Sequence, residues 1–181
     1  MAMSGNGNIR RATADDAAAC AAIYAPYVTD TTITFETEPP TAAEMACRIE
    51  AANERHAWLV LEVDGEVVGY AYGTEHRTRA AYRWACDASI YLQPGRRRTG
   101  AGRALYAALL PILAARGYRR VMGGVTQPNE ASMGLHHSFG FTDVGTYHKV
   151  GWKLGAWHDV TWLQLDLTPD EDPTAPPAEL G

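Results

Sequence analysis

Apolar residues along the chain recur with two periods, and the switches between alternation and three-to-four spacing mark the elements. Ile9 to Ala12 predicts a short strand. Thr13-Ala14-Asp15-Asp16 then has the form of a capping box for a helix to about Tyr27. Thr41-Ala42-Ala43-Glu44 is a second box and predicts a helix to about Arg55. The apolar runs Trp58 to Val63 and Val67 to Tyr72 flank Asp64-Gly65-Glu66, the signal of a β-hairpin. A strand over Trp84 to Leu92, a helix over Gly100 to Ala115 ending near Gly117, and a strand over Val121 to Thr126 follow. Asn129 to Phe139 predicts a helix stopped by Gly140, and two strands fit Phe141 to Val150 and Val160 to Leu167. The order is β, α, α, β, β, β, α, β, α, β, β. Pro111 is expected to kink the long helix, since proline removes one backbone donor and crowds the preceding turn.

With 181 residues the chain fits one domain, as domains usually span about 100–200 residues. Hydrophobic residues at 46% and charged residues at 20% are ordinary globular values. Sixteen Lys and Arg against 21 Asp and Glu leave a net charge of −5, so no general affinity for nucleic acid is implied. No apolar run is long enough to span a membrane, Met1 to Asn8 lacks the apolar centre of a signal peptide, and a cytoplasmic protein is expected. Cys20, Cys47 and Cys86 are odd in number and widely spaced, which suits reduced, mostly buried thiols and no metal site. The Pro-rich, acidic run from Thr168 onward predicts a disordered tail, and residues 1–8 a disordered start.

Charge is concentrated in one place. The stretch Gln93-Pro94-Gly95-Arg96-Arg97-Arg98-Thr99-Gly100-Ala101-Gly102-Arg103 joins the strand ending at Leu92 to the helix that follows. A basic, glycine-rich turn at a helix start brings together free N–H groups, the positive end of a helix and mobile cations, a receptor for a pyrophosphate. It is no nucleotide P-loop, because Gly95 and Gly100 are followed by Ala101-Gly102 where Gly-Lys-Ser/Thr would require a lysine. Nor is it a dinucleotide fingerprint, because Gly100-Ala101-Gly102 is followed by Leu105 and lies in mid-chain.

What remains, Arg97-x-x-Gly100-x-Gly102, resembles the acyl-CoA pyrophosphate loop of the GNAT N-acetyltransferases. Asn129, Ser132 and His136 share one helix face, and this resembles the last GNAT helix, where an Asn contacts the pantetheine arm and a later residue, often Tyr, protonates the departing thiolate. The plainer reading makes Asn129 a helix cap and His136 a surface histidine. On the strand before the loop, alternation puts Asp87, Ser89 and Tyr91 on one face and Cys86, Ala88, Ile90 and Leu92 on the other. A carboxylate there needs a partner, and Arg77 or Arg79 is the expected one. The sharper alternative is that Asp87 helps deprotonate an amine.

Further segments narrow the likeness. Arg10-Arg11-Ala12-Thr13, Thr34-Phe35-Glu36-Thr37-Glu38-Pro39, Ser89-Ile90-Tyr91, Pro128-Asn129 and Trp157-His158-Asp159-Val160 resemble the phosphinothricin N-acetyltransferase family, over about Ile9 to Leu167. The resemblance implies a single α/β (α+β) GNAT domain over 9–167, a central, mixed, mostly antiparallel sheet flanked by helices. It also implies an acetyl-CoA-dependent enzyme for the α-amino group of phosphinothricin or methionine sulfoximine, serving detoxification or resistance, and a homodimer. On the family's pattern, acetyl-CoA is held by Ile90, Tyr91, Leu92, Arg97, Arg98, Thr99, Gly100, Ala101, Gly102, Arg103, Asn129 and Ser132. Phe35, Arg77, Arg79, Tyr82, Ser89 and Lys153 fall where the family meets its substrate.

Asp87 stands where the family usually has Glu, one methylene longer, so proton transfer through water becomes the expectation. His136 is the second candidate for that role. Backbone N–H groups over Ile90 to Leu92 would polarise the thioester carbonyl. Cys86 as a covalent acyl carrier is the alternative mechanism. Two other functions fit the same sequence: a GNAT acting on a protein N-terminus, lysine or polyamine, and a non-catalytic acyl-CoA sensor.

Overall fold

The computed structural model describes residues 7–96, 99–168, 172 and 177. Seven strands form one sheet in the order β1-β2-β3-β4-β5-β7-β6. They are β1 (Asn8–Arg11), β2 (Trp58–Val63), β3 (Glu66–Glu75), β4 (Ala85–Leu92), β5 (Arg120–Thr126), β6 (Thr142–Lys153) and β7 (Ala156–Asp166). The helices are α1 (Ala17–Asp30), α2 (Ala42–Arg55), α3 (Ala101–Ala115) and α4 (Glu130–Ser138), and the element order is the one the pattern predicts. Every strand pair is antiparallel except β4 with β5, which α3 joins as a parallel crossover.

Strand alternation divides the core in two. Trp58, Val60 and Tyr70 pack with Cys20, Ile23 and Val28 of α1 and Met45 and Ile49 of α2. Leu59, Leu61, Ala71, Cys86 and Ala88 pack on the opposite face with Leu105, Tyr106, Leu109 and Leu113 of α3. Leu109 is fully buried, so Leu109→Ala would cost about 2–5 kcal/mol. Both boxes form: at Thr41 the Glu44 N–H donates to Oγ1 while a Glu44 carboxylate oxygen accepts from the Thr41 N–H at 2.7 Å, and at Thr13 Asp16 accepts from the N–H at 2.9 Å.

Several boundaries shift. β3 runs on to Glu75, three residues past the expected end at Tyr72, because each residue to Glu75 still faces a partner on β4. α3 runs through Pro111 and ends at Ala115. The last two strands form one long hairpin closed by Leu154-Gly155, with φ of 52° and 76°, so both turn residues occupy the left-handed region of a type I′ turn. Leucine there hides the turn from a reading that looks for Asn-Gly. Cys47 is exposed, whereas Cys20 and Cys86 are buried, and all three are free thiols. Among the described residues no helix is long and apolar enough to cross a membrane. The predicted tail and chain start lie largely outside the described residues.

Candidate active site

The site begins where β4 and β5 part. They face each other at Ala85 and Arg120, Cys86 and Val121, and Asp87 and Met122, and no further. Beyond that point, among the described residues, β4 pairs only with β3, including Ala71 with Ile90, Tyr70 with Tyr91 and Gly69 with Leu92. β5 turns instead to β7, from Arg120 with Asp166 to Thr126 with Val160. Among the described residues the edge of β4 over Ala88 to Leu92 is thus left with backbone groups that an extended amide-bearing ligand can use, apart from the Leu92 carbonyl, which accepts from the Tyr27 hydroxyl at 2.6 Å.

The turn after this edge has the features that anion sites at helix starts use. Arg96 N–H donates to the Gln93 carbonyl at 3.0 Å, and the Thr99 hydroxyl to the Arg96 carbonyl at 2.8 Å. Gly100 caps α3 with φ of 85°, a conformation that costs a side-chain-bearing residue about 1–2 kcal/mol. The first-turn N–H groups of Ala101, Gly102 and Arg103 have no partner within the helix and carry the positive end of its dipole. A Cβ on Gly102 would lie 3.4 Å from Leu135 and 3.5 Å from Ile90, so glycine lets α3 start close against β4 and α4. The Arg103 side chain turns away to α4, donating to the Ser138 hydroxyl at 3.0 Å and lying over Phe139. Arg97 and Arg98 lie outside the described residues.

α4 flanks the groove. Asn129 caps it, Oδ1 accepting from the Ser132 N–H at 3.1 Å, so the plainer reading of Asn129 is realised for that oxygen. His136 is no surface residue; it is 3% exposed. Its Nδ1 lies 2.7 Å from the Ser132 carbonyl, which only accepts, so Nδ1 carries the proton. Nε2 is then the acceptor for the Tyr106 hydroxyl at 3.1 Å. Burial lowers its pKa, and the neutral ring packs over Gly123, where a Cβ would fall 2.7 Å from Nε2.

Asp87 lies on the other face. In place of the ion pair expected with Arg77 or Arg79, Asp87 makes a hydrogen bond with His76, Nδ1 to Oδ1 at 2.6 Å, because β3 extends to Glu75 and delivers His76 beside the carboxylate. Burial raises the Asp87 pKa, while the His76 hydrogen bond and the nearby Arg77 charge oppose that rise. Arg77, Arg79 and Tyr82 are exposed in the segment around the 3-10 turn Ala80–Tyr82. Ser89 faces Tyr72 across the strands. Cys86 is buried against α3, and burial drives its thiol pKa far up, which does not suit an acyl carrier.

The Thr34-Phe35 loop packs on the β6–β7 hairpin, Thr34 against Lys153 and Phe35 against Gly151 and His158. The Lys153 ammonium is buried and donates to the Thr34 carbonyl at 2.7 Å; burial lowers its pKa. Its charge therefore fixes the Thr34-Phe35 loop. The Phe35 ring occupies the space a side chain at Gly151 would need. Asp159 holds the bulge beneath, accepting from the Lys149 N–H at 2.8 Å and pairing with His148 at 2.7 Å. The sequence did not reveal the support behind Phe35, where Arg48 pairs with Glu36 at 2.7 Å and the Tyr24 hydroxyl reaches Thr34 at 2.6 Å. Thr34 and Glu36 lie in no regular element, so no periodicity marks them.

A strand edge opening towards a helix start with unpartnered N–H groups, with a carboxylate one rung before the edge opens, suits an acyltransferase whose acyl carrier is anchored by phosphate. Residues 9–162 match the acetyltransferase (GNAT) domain, and the chain belongs to that family of acetyl-CoA-dependent enzymes. It is 39% identical to the phosphinothricin N-acetyltransferase of Streptomyces viridochromogenes, covering 88% of this chain and 87% of that one. It is 32% identical to the L-methionine sulfoximine/L-methionine sulfone acetyltransferase of Pseudomonas aeruginosa over 91% of this chain and 96% of that one. The crystal structure of a GNAT superfamily phosphinothricin acetyltransferase from Sinorhizobium meliloti, in complex with acetyl-CoA, superposes with a TM-score of 0.88 at 34% identity, covering 93% of each chain.

Proposed function

We propose that this enzyme acetylates the α-amino group of a small amino-acid analogue of the phosphinothricin and methionine sulfoximine type, in the cytoplasm where acetyl-CoA is made. The observation that carries this reading is the grouping of Arg77, Arg79 and Tyr82 next to the Asp87 site. Two guanidinium groups and an aromatic suit a substrate with a carboxylate and a second anionic or strongly polar group. The names of the relatives point the same way.

Acetyl-CoA supplies an activated acetyl thioester. The N–H groups at the start of α3 would hold its pyrophosphate, with Arg97 and Arg98 adding charge. The free edge over Ile90 to Leu92 would take the pantetheine amides and polarise the carbonyl. An α-amine is largely protonated near neutral pH, so a base must act first. We assign that step to the Asp87 site, because both ring nitrogens of His136 are already occupied on the opposite face. His136 then positions α4 against Tyr106 and Gly123.

We further infer a homodimer. Val144, Tyr147, Val150, Trp152, Leu154 and Trp157 are each more than half exposed along the β6–β7 hairpin, and large apolar side chains grouped on one element mark interaction surfaces. Sedimentation should give the mass of two chains, and Trp157→Glu should shift it towards one; a monomeric wild type refutes the dimer.

The decisive experiment follows CoA release with a panel of amines ranked by kcat/KM. Turnover is expected on methionine sulfoximine or phosphinothricin. Preference for peptide N-termini, lysine or polyamines would replace the substrate class, and bound CoA with no turnover on any amine would leave only a sensor.

A further inference from the structure

We propose that His76 is the proton acceptor of the reaction, with Asp87 holding its ring, in place of a carboxylate that acts alone. The proposal rests on the acetyl-transfer reading above and names the base within that site.

The geometry is that of a carboxylate-oriented imidazole. A carboxylate oxygen only accepts, so the 2.6 Å contact fixes the proton on Nδ1 and leaves Nε2 with its lone pair. Among the described residues no group hydrogen-bonds Nε2, and the atom keeps contact with solvent. The ring is nonetheless held. It meets Tyr82 of the short 3-10 turn and Trp162 of β7 edge to face, each at 6.0 Å between centroids. Its side chain is 12% exposed, against 29% for Asp87, so both are open to a small molecule without being free to swing. The charged and titratable groups around it are Asp87 on β4, Arg77 beside it in the chain and Tyr82; Trp162 of β7 adds none.

The pair also has the right reach. Asp87 carries one methylene fewer than a glutamate, and the imidazole attached through its hydrogen bond restores and exceeds that length. A neutral imidazole nitrogen is a stronger base than an ordinary carboxylate, which suits the removal of a proton from an ammonium group. The same aspartate-histidine logic orients the base in serine hydrolases.

The step balances as follows. Nε2 takes one proton from the substrate ammonium, and the freed lone pair forms the C–N bond to the thioester carbonyl carbon. The C–S bond then breaks with its electrons on sulfur. The imidazolium proton goes to the departing thiolate, and the second proton on nitrogen passes to solvent as the amide forms. No oxidant, reductant or metal is needed.

The test uses His76→Gln, His76→Ala and Asp87→Asn in the full chain, with melting temperature and CoA binding measured for each. His76→Gln should lower kcat by about 10²–10⁴-fold, with CoA affinity within about threefold of wild type. In His76→Ala the acidic limb of the kcat/KM profile should disappear, and added imidazole should restore turnover in proportion to its unprotonated form. Asp87→Asn should lower kcat while keeping an acidic limb. A His76→Gln enzyme with near wild-type kcat overturns the proposal. So does a His76→Ala enzyme whose acidic limb persists and which imidazole does not rescue, since Asp87 would then be the base. Absence of turnover in the wild type on every amine counts against the acetyl-transfer reading instead, before any variant is compared.

Discussion

Asp87 and Met122 are the last residues to face each other across β4 and β5 before the two parallel strands part. That single rung sets the geometry of the site. Below it the sheet is closed and its faces are core; above it β4 keeps its bonds to β3 and presents its other edge to the groove. The carboxylate therefore stands at the apex of the opening, on the α1 and α2 face, while His136 closes the α3 and α4 face beneath Gly123.

The start of α3 at the far end of the groove, the proposed anchor, depends on Gly100. Its φ of 85° places it in the left-handed region, yet a Cβ there would meet nothing within 4 Å. Gly100→Ala thus isolates backbone strain from steric clash. It should cost about 1–2 kcal/mol, felt either in stability or in a displaced first turn of α3. The expected result is a KM for acetyl-CoA raised by about 5–30-fold with the KM for the amine unchanged. Unaltered kinetics with respect to acetyl-CoA would show that the cap does not shape the anion site.

Much of this was legible in the sequence, for physical reasons that differ by residue. Alternation alone put Asp87 and Cys86 on opposite faces, and burial of Cys86 against α3 follows from it. The capping boxes at Thr13 and Thr41 are local chemistry and form as written. The role of His76 was not legible, because the alternating pattern fades after Tyr72 while cross-strand hydrogen bonds carry β3 on to Glu75. The family resemblance implies a substrate contact for Lys153, but a sequence does not show that its ammonium is buried against a carbonyl 119 positions away. Helical spacing picks out His136; that its Nδ1 is held by the Ser132 carbonyl of its own helix and its Nε2 by Tyr106 on a different helix is tertiary information.

Lys153 offers a way to move substrate affinity without touching the acetyl donor. Its Nζ at 2.7 Å from the Thr34 carbonyl is a charge-assisted bond in a buried place. Lys153→Met keeps the length and apolar stem but leaves that carbonyl unpaired, a loss of about 1–2 kcal/mol. The Thr34-Phe35 loop should loosen, and the KM for the amine should rise about 5–30-fold while that for acetyl-CoA stays fixed. A proportionate change in both constants would mean that Lys153 supports the whole fold and not the Phe35 wall.

The pH dependence of stability should be visible at Asp16. Its carboxylate takes two bonds from the Arg10 guanidinium, each at 2.8 Å, and a third from the Thr13 N–H at 2.9 Å. The Arg10 hydrogen bonds lower its pKa below the ordinary value of 3.8, against an opposing push from burial. A carboxylate with a depressed folded-state pKa binds fewer protons folded than unfolded. Its contribution is therefore complete above the unfolded value of 3.8 and drains away as pH falls through the folded one. Arg10 is more than a third exposed, which limits the contribution to about 1–2 kcal/mol after screening. Asp16→Asn keeps the shape and removes the charge, so its melting temperature should fall by roughly 2–8 °C at pH 7. That gap should close as the pH is lowered well below 4, where the wild-type carboxylate is itself protonated. An equal gap at pH 7 and at the acid end would assign the loss to the Thr13 cap and not to the ion pair.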